Sequence, residues 1–297
     1  MLRIGIWGLD TSHSLRFAEL LNDPLHPYRV PGAVIAGMCR SRADGSAAAQ
    51  REHEYMAALA QAYAVPEYDA PEALAAHCDA LMLGSGDAAA HPAQAARAAP
   101  LGKPLFVNKP LAASAADGEA IFALADTHGV PLMSCSALRY TEPLLELAGY
   151  GGAGAITGAD ISGPVHWLAG KPDFLDYGIH ALEALFAILG PDCRAIRPAG
   201  DARHDLIVGE WAGGRYGVVR GNRTGSDAFR LTVHYERASR SASLLTHEIP
   251  YVRTMLLRYI AMCERDAAPI EPQETLAVLR CADAVNRHRK RQVRVRL

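Results

Sequence analysis

The sequence predicts an α/β protein in two parts: a doubly wound parallel sheet, then an α+β domain with a mainly antiparallel sheet. Apolar strand-like runs alternate with helical stretches up to about residue 135, as in a parallel sheet covered on both faces. Strand-like runs separated by turn residues then dominate from Cys193 to Glu248, a pattern typical of an antiparallel meander. The 297 residues, 50% of them hydrophobic, are enough for two cores. We expect domains at 1–136 and 137–297.

The first part is predicted to contain short, nearly continuous apolar strands with helices between them, because strands buried on both faces lose their polar alternation. The predicted strands are Leu2–Trp7, Ala33–Cys39, Val65–Tyr68, Ala80–Gly84, Leu105–Val107 and Pro131–Cys135. The predicted helices are Ser14–Leu21, 46–63, Pro71–His77, Ala88–Ala99 and Ser114–His128.

The second part mixes helices with strands of alternating polarity. The predicted helices are Glu142–Ala148, Asp176–Leu189, Val252–Arg265 and Gln273–His288. The predicted strands are Ala155–Ile161, Asp205–Trp211, Tyr216–Gly221, Phe229–Tyr235, Ser241–Thr246 and a final amphipathic strand over 293–297. Because strands with one polar face can be solvated on that side, an antiparallel sheet is expected here.

Bulk composition excludes several classes of protein. A net charge of −2 gives no general attraction to nucleic acid or acidic membranes, and the basic run 287–291 lacks interleaved aromatic residues. Six scattered cysteines predict reduced thiols in a cytoplasmic protein, and neither they nor the histidines show the spacing of metal ligands. The chain contains no apolar run of about 18 residues and no leader-like start, so we expect no membrane span and no secretion.

The turn after the first strand suggests a dinucleotide site. A strand followed by G-x-G-x-x-G and a helix binds pyrophosphate at the helix N-terminus in Rossmann domains. Here Gly8 holds the first glycine position, but Asp10 and His13 occupy the other two. Asp10 either caps the helix or adds a negative charge beside the phosphates. Thr11, Ser12 and His13 are either phosphate donors or capping groups.

Four segments in this order resemble the glucose–fructose oxidoreductase / inositol dehydrogenase / MocA family of NAD(P)-dependent sugar and cyclitol dehydrogenases. They are 2–13, 78–91, 102–111 and 176–180. The most specific parts are Lys109-Pro110 at a strand end and the motif D-x-G-x-H, which begins at Asp176. The family motif reads Glu-Lys-Pro, and Asn108 stands here in place of its Glu. The resemblance covers essentially the whole chain.

The resemblance implies a proton-handling group of three residues. Lys109 is expected at the carboxyl end of a parallel strand, where such sheets bind ligands. It donates to the substrate hydroxyl or exchanges a proton with it. His180 becomes the base and Asp176 the residue that orients it or the substrate, since residues four apart share one face of a helix. The alternatives are a surface lysine and an ordinary helix start.

Other residues are expected near cofactor and substrate. Arg40 and Ser41 follow the second strand where NAD-specific folds carry an acid, so NADP(H) is favoured and NAD(H) remains possible. The cofactor-binding set is completed by Ser85, His91 and Asn108, with an N-terminal helix position as the alternative for His91. Substrate contacts are expected from Arg139, Tyr140, His166, Trp167 and Tyr177. A structural salt bridge is the alternative for Arg139, and simple packing for Trp167.

We therefore expect an oxidoreductase that moves a hydride between NADP(H) or NAD(H) and a secondary alcohol or ketone of a sugar, cyclitol or polyol. A homo-oligomer, dimer or tetramer, is expected. Two alternatives remain open. One is a non-redox lyase or epimerase that retains and recycles its cofactor, and the other is a cofactor-binding accessory protein without turnover.

Overall fold

The computed structural model describes residues 1–41, 45–166, 174–245, 249–289, 291 and 293–297. Their strands are β1 Leu2–Trp7, β2 Ala33–Cys39, β3 Glu67–Tyr68, β4 Ala80–Leu83, β5 Leu105–Val107, β6 Leu132–Met133, β7 Ile156–Pro164, β8 Cys193–Gly200, β9 His204–Trp211, β10 Tyr216–Asn222, β11 Arg230–Tyr235, β12 Ser239–Ser243 and β13 Val295–Arg296. Their α-helices are α1 His13–Asn22, α2 Ala47–Tyr63, α3 Pro71–Ala76, α4 His91–Ala98, α5 Ala115–Thr127, α6 Glu142–Ala148, α7 Ile179–Leu189, α8 Arg253–Arg265 and α9 Pro272–His288.

The chain divides into two compact units. The first comprises Met1–Ala112, Ala116–Cys135 and Val252–Ile270, and the second comprises Ala113–Ala115, Ser136–Tyr251 and Glu271–Leu297. The sequence-based boundary at 136/137 does not anticipate that a later segment folds with the first unit.

The first unit is built on a sheet whose described strands are all parallel, in the order β3-β2-β1-β4-β5-β6. This confirms the predicted Rossmann sheet. Strands β4 and β5 are fully buried, and β1 is buried from Ile4 to Trp7, as expected for strands covered on both faces. In this topology, ligands bind at the carboxyl ends of the strands, where the order reverses between β1 and β4.

Helix α8 belongs to the first unit because of one buried tyrosine. Tyr259 has no exposed surface, and its hydroxyl donates to the carbonyl oxygen of Leu81 on β4 at 2.8 Å. Its ring also packs edge-on against Phe106 of β5, with centroids 5.8 Å apart. A buried phenol requires such a hydrogen-bond partner, and this position supplies one.

The second unit is built on a mixed sheet in the order β12-β11-β7-β10-β9-β8-β13 over the described residues. The mainly antiparallel sheet is confirmed, but β7 and β10 pair in parallel. Strand β8 was not predicted, because Arg194, Arg197 and Pro198 interrupt its apolar pattern. Helix α7 packs on β7 and is buried around most of its circumference, as its nearly continuous apolar sequence requires.

Candidate functional site

The turn after β1 is tightly packed against the loop after β4. Gly8 has a φ of +87°, a left-handed conformation that favours glycine. A Cβ at Gly8 would collide with Ser85 Oγ, and a Cβ at Gly84 would collide with the Gly8 carbonyl oxygen. Both glycines are therefore required by close backbone approach, so this turn keeps the tight geometry of a dinucleotide-binding fingerprint.

Asp10 connects these two loops. Its Oδ1 accepts a hydrogen bond from the Gly86 backbone N–H at 2.6 Å, and the residue is only 7% exposed. The N-cap position of α1 is held by Ser12, without a side-chain cap bond. Asp10 therefore does not occupy the N-cap position of α1. Asp10 binds a backbone donor of the β4 loop, and this bond offsets part of the cost of placing its charge near the turn.

Glu52 of α2 accepts hydrogen bonds from the turn after β1 and from the loop after β2. Its Oε1 accepts from the backbone N–H of Leu9 at 3.0 Å, from the backbone N–H of Ser41 at 2.8 Å and from Ser41 Oγ at 3.0 Å. Glu52 has no exposed surface. One buried carboxylate thus joins the loop after β1 to the loop after β2, where the cofactor was expected.

Glu52→Ala should destabilise the protein by about 3 kcal/mol, because the buried backbone N–H of Leu9 and the part-buried backbone N–H of Ser41 would lose their acceptor. Denaturant unfolding of the two proteins measures the change. Glu54→Ala is the matched control in the same helix, since Glu54 is exposed and accepts a hydrogen bond from the Gln50 amide within that helix. Equal destabilisation by both variants would contradict the role of Glu52.

A cleft of about 260 Å³ opens beside the carboxyl ends of β1 and β2. Its walls include Trp7, Ser41, Gln94 and Arg97. In Rossmann domains, the residue after the second strand contacts the ribose of the adenosine half, so the cleft lies where that half is expected. Arg40, next to Ser41, is exposed and pairs with Glu67 at 3.3 Å.

The segment after β5 carries Asn108 and Lys109. Asn108 Nδ2 donates to the Ser85 carbonyl oxygen at 3.2 Å, and Lys109 follows at the carboxyl end of the strand, as predicted. Nearby, burial and the positive charge of Lys109 lower the pKa of His13 to about 4, against a hydrogen bond to Asn108 that raises it. His13 is therefore a neutral imidazole at neutral pH. Together with Thr11 and Asn108, it lines a small hollow of the first unit.

His91 has a structural position. Its ring is fully buried, with Nε2 3.0 Å from the Ser85 carbonyl and Nδ1 3.1 Å from the carbonyls of Pro110 and Leu111. Burial lowers its pKa, against these carbonyls, which favour the charged form. The ring has no exposed surface, so it joins loops rather than contacting a ligand. The predicted contact of His91 with the cofactor is corrected accordingly. Ser85 is equally buried.

In the second unit, D-x-G-x-H lies across a helix start. Helix α7 begins at Ile179 with Gly178 as its N-cap, so Asp176 lies in the preceding turn. The expectation that Asp176 and His180 share one helix face is therefore wrong. Gly178 is required because a Cβ there would lie 2.9 Å from the Phe174 ring.

His180 is half-buried and held by defined neighbours. Its Nδ1 lies 2.6 Å from Ser136 Oγ. The rings of Tyr177 and Phe229 pack edge-on against it, at centroid distances of 5.1 and 6.0 Å. His166 contacts Tyr177 at 4.8 Å. The structure thus brings three predicted site residues together, with Ser136 and Phe229 added, while Trp167 lies outside the described residues.

Arg139 is engaged in buried ion pairs. It bonds to Glu183 of α7 at 3.3 Å and to Glu274 of α9, and it is 9% exposed. This geometry favours the salt-bridge alternative over the expected substrate contact. Tyr140, beside it in the same short turn, is also buried. Burial raises the pKa of Glu183 to about 7, although Arg139 acts in the opposite direction.

The stability of the protein should depend on pH through Glu183. Its pKa is raised from 4.5 to about 7 in the folded protein. The stabilisation of the fold by protonated Glu183 is therefore fully present below pH 4.5 and is lost as the pH rises to about 7. The loss is at most about 3 kcal/mol, and Glu183→Gln should remove it. Denaturant unfolding at a series of pH values measures this slope. Glu146→Gln, at an exposed position of α6, is the control and should keep the wild-type slope.

Sequence reasoning missed three of these residues, Glu52, Ser136 and Phe229. Glu52 lies on the buried face of α2 with Met56 and Leu59, and this helical spacing was the available signal. Ser136 follows β6 and starts a short turn, but nothing in its local sequence indicates a histidine partner.

Across the described residues, no helix is both long and apolar enough to cross a membrane. The same residues contain no group of three or more His, Cys, Asp or Glu side chains able to hold a metal ion.

The chain is similar in fold to several solved structures. GenD2 from gentamicin A biosynthesis, in complex with NAD, gives a TM-score of 0.78 at 17% identity, covering 100% of this chain and 96% of its own. An oxidoreductase from Agrobacterium radiobacter, in complex with NAD+, L-tartaric acid and magnesium, gives 0.80 at 16% identity, covering 99% and 98%. UDP-N-acetylglucosamine 3-dehydrogenase from Acidithiobacillus ferrooxidans gives 0.77 at 15% identity, covering 98% of both chains. At such identities these likenesses show the fold.

The family comparison adds to this evidence. Comparison with curated proteins found no match. Residues 29–135 match the model of the Gfo/Idh/MocA oxidoreductase family, described by its NAD-binding Rossmann fold. This part of the chain is therefore similar to the NAD-binding domain of that family, and the fold of the whole chain is similar to that of the solved structures above.

Proposed function

We propose that this protein is an NAD(P)-dependent dehydrogenase that interconverts a secondary alcohol and a ketone of a sugar, cyclitol or related polyol. The observation that carries the proposal is the setting of His180. Its Nδ1 lies 2.6 Å from Ser136 Oγ, and the half-buried ring is held between Tyr177 and Phe229. The solved relatives support the substrate class, since one is a nucleotide-sugar dehydrogenase by name.

The residues of the first unit fit a dinucleotide. Gly8 and Gly84 give the close backbone approach, and the cleft beside Ser41 is in the place of the adenosine half. The bound nicotinamide would accept the hydride from the alcohol carbon or return it to the ketone. Asp10, held by the Gly86 N–H, remains the feature in which this turn differs from the usual fingerprint.

The chain's own groups would move the proton. As the alcohol is oxidised, its C–H bond gives up a hydride and its O–H bond gives up a proton, which His180 accepts. Lys109 donates to the hydroxyl oxygen or exchanges a proton with it. Asp176 orients the substrate or the imidazole. Both roles of Lys109 and the role of Asp176 follow from the family resemblance.

NADP(H) is the proposed cofactor form, on the basis of Arg40. It is the first residue after β2, and the described residues 39–41 include no acid to hold the 2′-hydroxyl of NAD. Its ion pair with Glu67 is exposed, so exchanging Glu67 for a phosphate costs about 1 kcal/mol or less.

Arg40→Ala should weaken NADP+ binding about tenfold or more, because a charge-assisted contact is lost, and should leave NAD+ binding within about twofold. Calorimetric titration with both nucleotides measures the ratio. Arg3→Ala, at the amino end of the same sheet, is the matched control. Equal weakening of both nucleotides, or tighter binding of NAD+ by the unmodified protein, would overturn the NADP proposal.

The proposed activity is tested by incubating the protein with NADP+ or NAD+ and a panel of sugars, cyclitols and polyols. Formation of reduced nicotinamide with a ketone product supports the dehydrogenase. A product formed with no net nicotinamide reduction, from protein that carries tightly bound dinucleotide, would instead indicate the lyase or epimerase. Binding without any turnover would indicate the accessory protein.

Cellular location and assembly remain proposals as well. We propose a cytoplasmic homo-oligomer, dimer or tetramer, with a small polar molecule as its partner. Multi-angle light scattering of the purified protein tests the assembly, and a monomer at all concentrations would overturn it.

A further inference from the structure

We propose that Gln94 of α4 recognises the adenine base of the dinucleotide, by accepting a hydrogen bond from its exocyclic amine. The inference rests on the proposed function, under which the adenosine half occupies the cleft of about 260 Å³ beside β1 and β2. Gln94 lines this cleft together with Trp7, Ser85 and Arg97. All four residues belong to the first unit of the fold.

The side chain of Gln94 carries a buried acceptor that lacks a donor. Its Nε2 donates to Ser85 Oγ at 2.8 Å, and the residue is only 6% exposed. Its Oε1 is buried and has no hydrogen-bond partner among the residues that the structure describes. A buried amide oxygen without a partner destabilises a fold, and native structures seldom keep one without a reason. A ligand in the cleft that brings a donor would satisfy this oxygen.

Ser85 holds the nitrogen side of this carboxamide. Ser85 has no exposed surface, and its hydroxyl fills the space in which a Cβ of Gly8 would otherwise lie. Gln94 is thereby joined through one hydroxyl to the tight turn after β1. Because the nitrogen side is held in this way, the oxygen side is the part of the amide that remains for a ligand.

The other walls of the cleft suit a flat base. The Arg97 guanidinium lies over the Trp7 ring at 5.2 Å, and both carboxylate oxygens of Glu72 bind it at 2.9 Å. Planar guanidinium groups stack on nucleobases. Ala90 and Ala93 line the cleft with methyl groups only, which leave room for a ring. Pockets for whole ligands measure about 300 to 1,000 Å³, so this cleft has the size for one part of a dinucleotide.

Adenine and hypoxanthine differ at the group that Gln94 would meet. Adenine carries an amine there and donates from it, whereas hypoxanthine carries a carbonyl oxygen, which only accepts. The carboxamide of glutamine is a common partner of the adenine amine in nucleic-acid complexes. Against hypoxanthine, Oε1 of Gln94 would face another acceptor and stay unpaired. The contact therefore predicts selection for adenine, which stacking alone does not supply.

Calorimetric titration with NADP+ and with its hypoxanthine analogue, deamino-NADP+, tests the contact without any substrate. The unmodified protein should bind the analogue about tenfold more weakly. Gln94→Leu should weaken NADP+ binding until the two affinities agree within about twofold. Gln50→Leu, at an exposed position of α2 that does not line the cleft, is the control and should keep the preference of the unmodified protein. NAD+ and deamino-NAD+ are compared in the same way.

Equal affinities of the unmodified protein for a nucleotide and its analogue, or tighter binding of the analogue, would overturn the inference, even where Gln94→Leu fails to fold. An unchanged preference in a folded Gln94→Leu variant would also overturn it. Equal affinities together with dehydrogenase turnover would leave the proposed function standing. A preference for adenine that Gln94→Leu abolishes, in a protein that turns over no substrate, would refute the proposed function and leave the Gln94 contact standing. Failure to bind any of these nucleotides would overturn both.

Discussion

Replacement of His180 by alanine is expected to lower kcat by about 10³-fold, because a positioned base contributes about 10²- to 10⁴-fold to a proton-coupled step. The proton of the alcohol would then have to leave to water, without a fixed acceptor. KM should change little, since the imidazole acts mainly as the reaction proceeds. Steady-state kinetics with the best substrate and either nucleotide measures both constants.

His234→Gln provides a matched control for this loss. His234 lies in β11 of the same unit, but its nitrogens bond to Ser239 and Asp160 at the exposed side of the sheet. It should retain near-wild-type kcat. A His180→Ala protein that is folded, binds nucleotide and turns over within about tenfold of wild type would remove His180 from the mechanism.

Lys109→Met should lower kcat by about 10²- to 10³-fold, since methionine keeps the approximate length of the side chain and removes both its charge and its proton. Lys109→Arg separates the two proposed roles. Arginine can still donate but does not release its proton, so partial rescue indicates donation to the hydroxyl. Loss as large as in the methionine variant indicates proton exchange.

Lys103→Met is the control, because Lys103-Pro104 precedes β5 just as Lys109-Pro110 follows it. Lys103 lies at the amino end of the strand, away from the edge where parallel sheets bind ligands. Wild-type turnover is expected. Similar losses in both lysine variants would show that the effect comes from the stability of the strand rather than from chemistry.

Local patterns were enough to predict most of the fold. The bounds of β1, β2, β5 and α6 agree with those expected from sequence, because continuous apolar runs and flanking turn residues mark them clearly. The change from a parallel to a mainly antiparallel sheet was also predictable, since strand burial sets the polarity pattern.

Long-range contacts explain what sequence could not provide. Helix α8 folds with the first unit because Tyr259 finds a carbonyl acceptor on β4, a partner 178 positions away. The bonds between Leu9 and Glu52 and between Ser136 and His180 span 43 and 44 positions. Helical spacing alone also misplaced Asp176, because it does not show at which residue the helix begins.

The role of Asp10 was open in sequence for the same reason. A carboxylate at a turn can cap the next helix or face the phosphates, and its bond to the Gly86 N–H joins residues 76 positions apart, which local sequence does not indicate. The hydrogen bond fixes the position of the Asp10 carboxylate, which still carries its charge. That charge bears on how tightly the turn binds a cofactor.

Nucleotide binding tests the central claim most directly. A ligand that binds only the folded protein stabilises it by about 2.7 kcal/mol at a concentration one hundred times its Kd. For a chain of this size, we expect about 1 mM NADP+ or NADPH to raise Tm by about 5 °C. Failure of NADP+, NADPH, NAD+ and NADH alike to raise Tm at millimolar concentration would contradict the account.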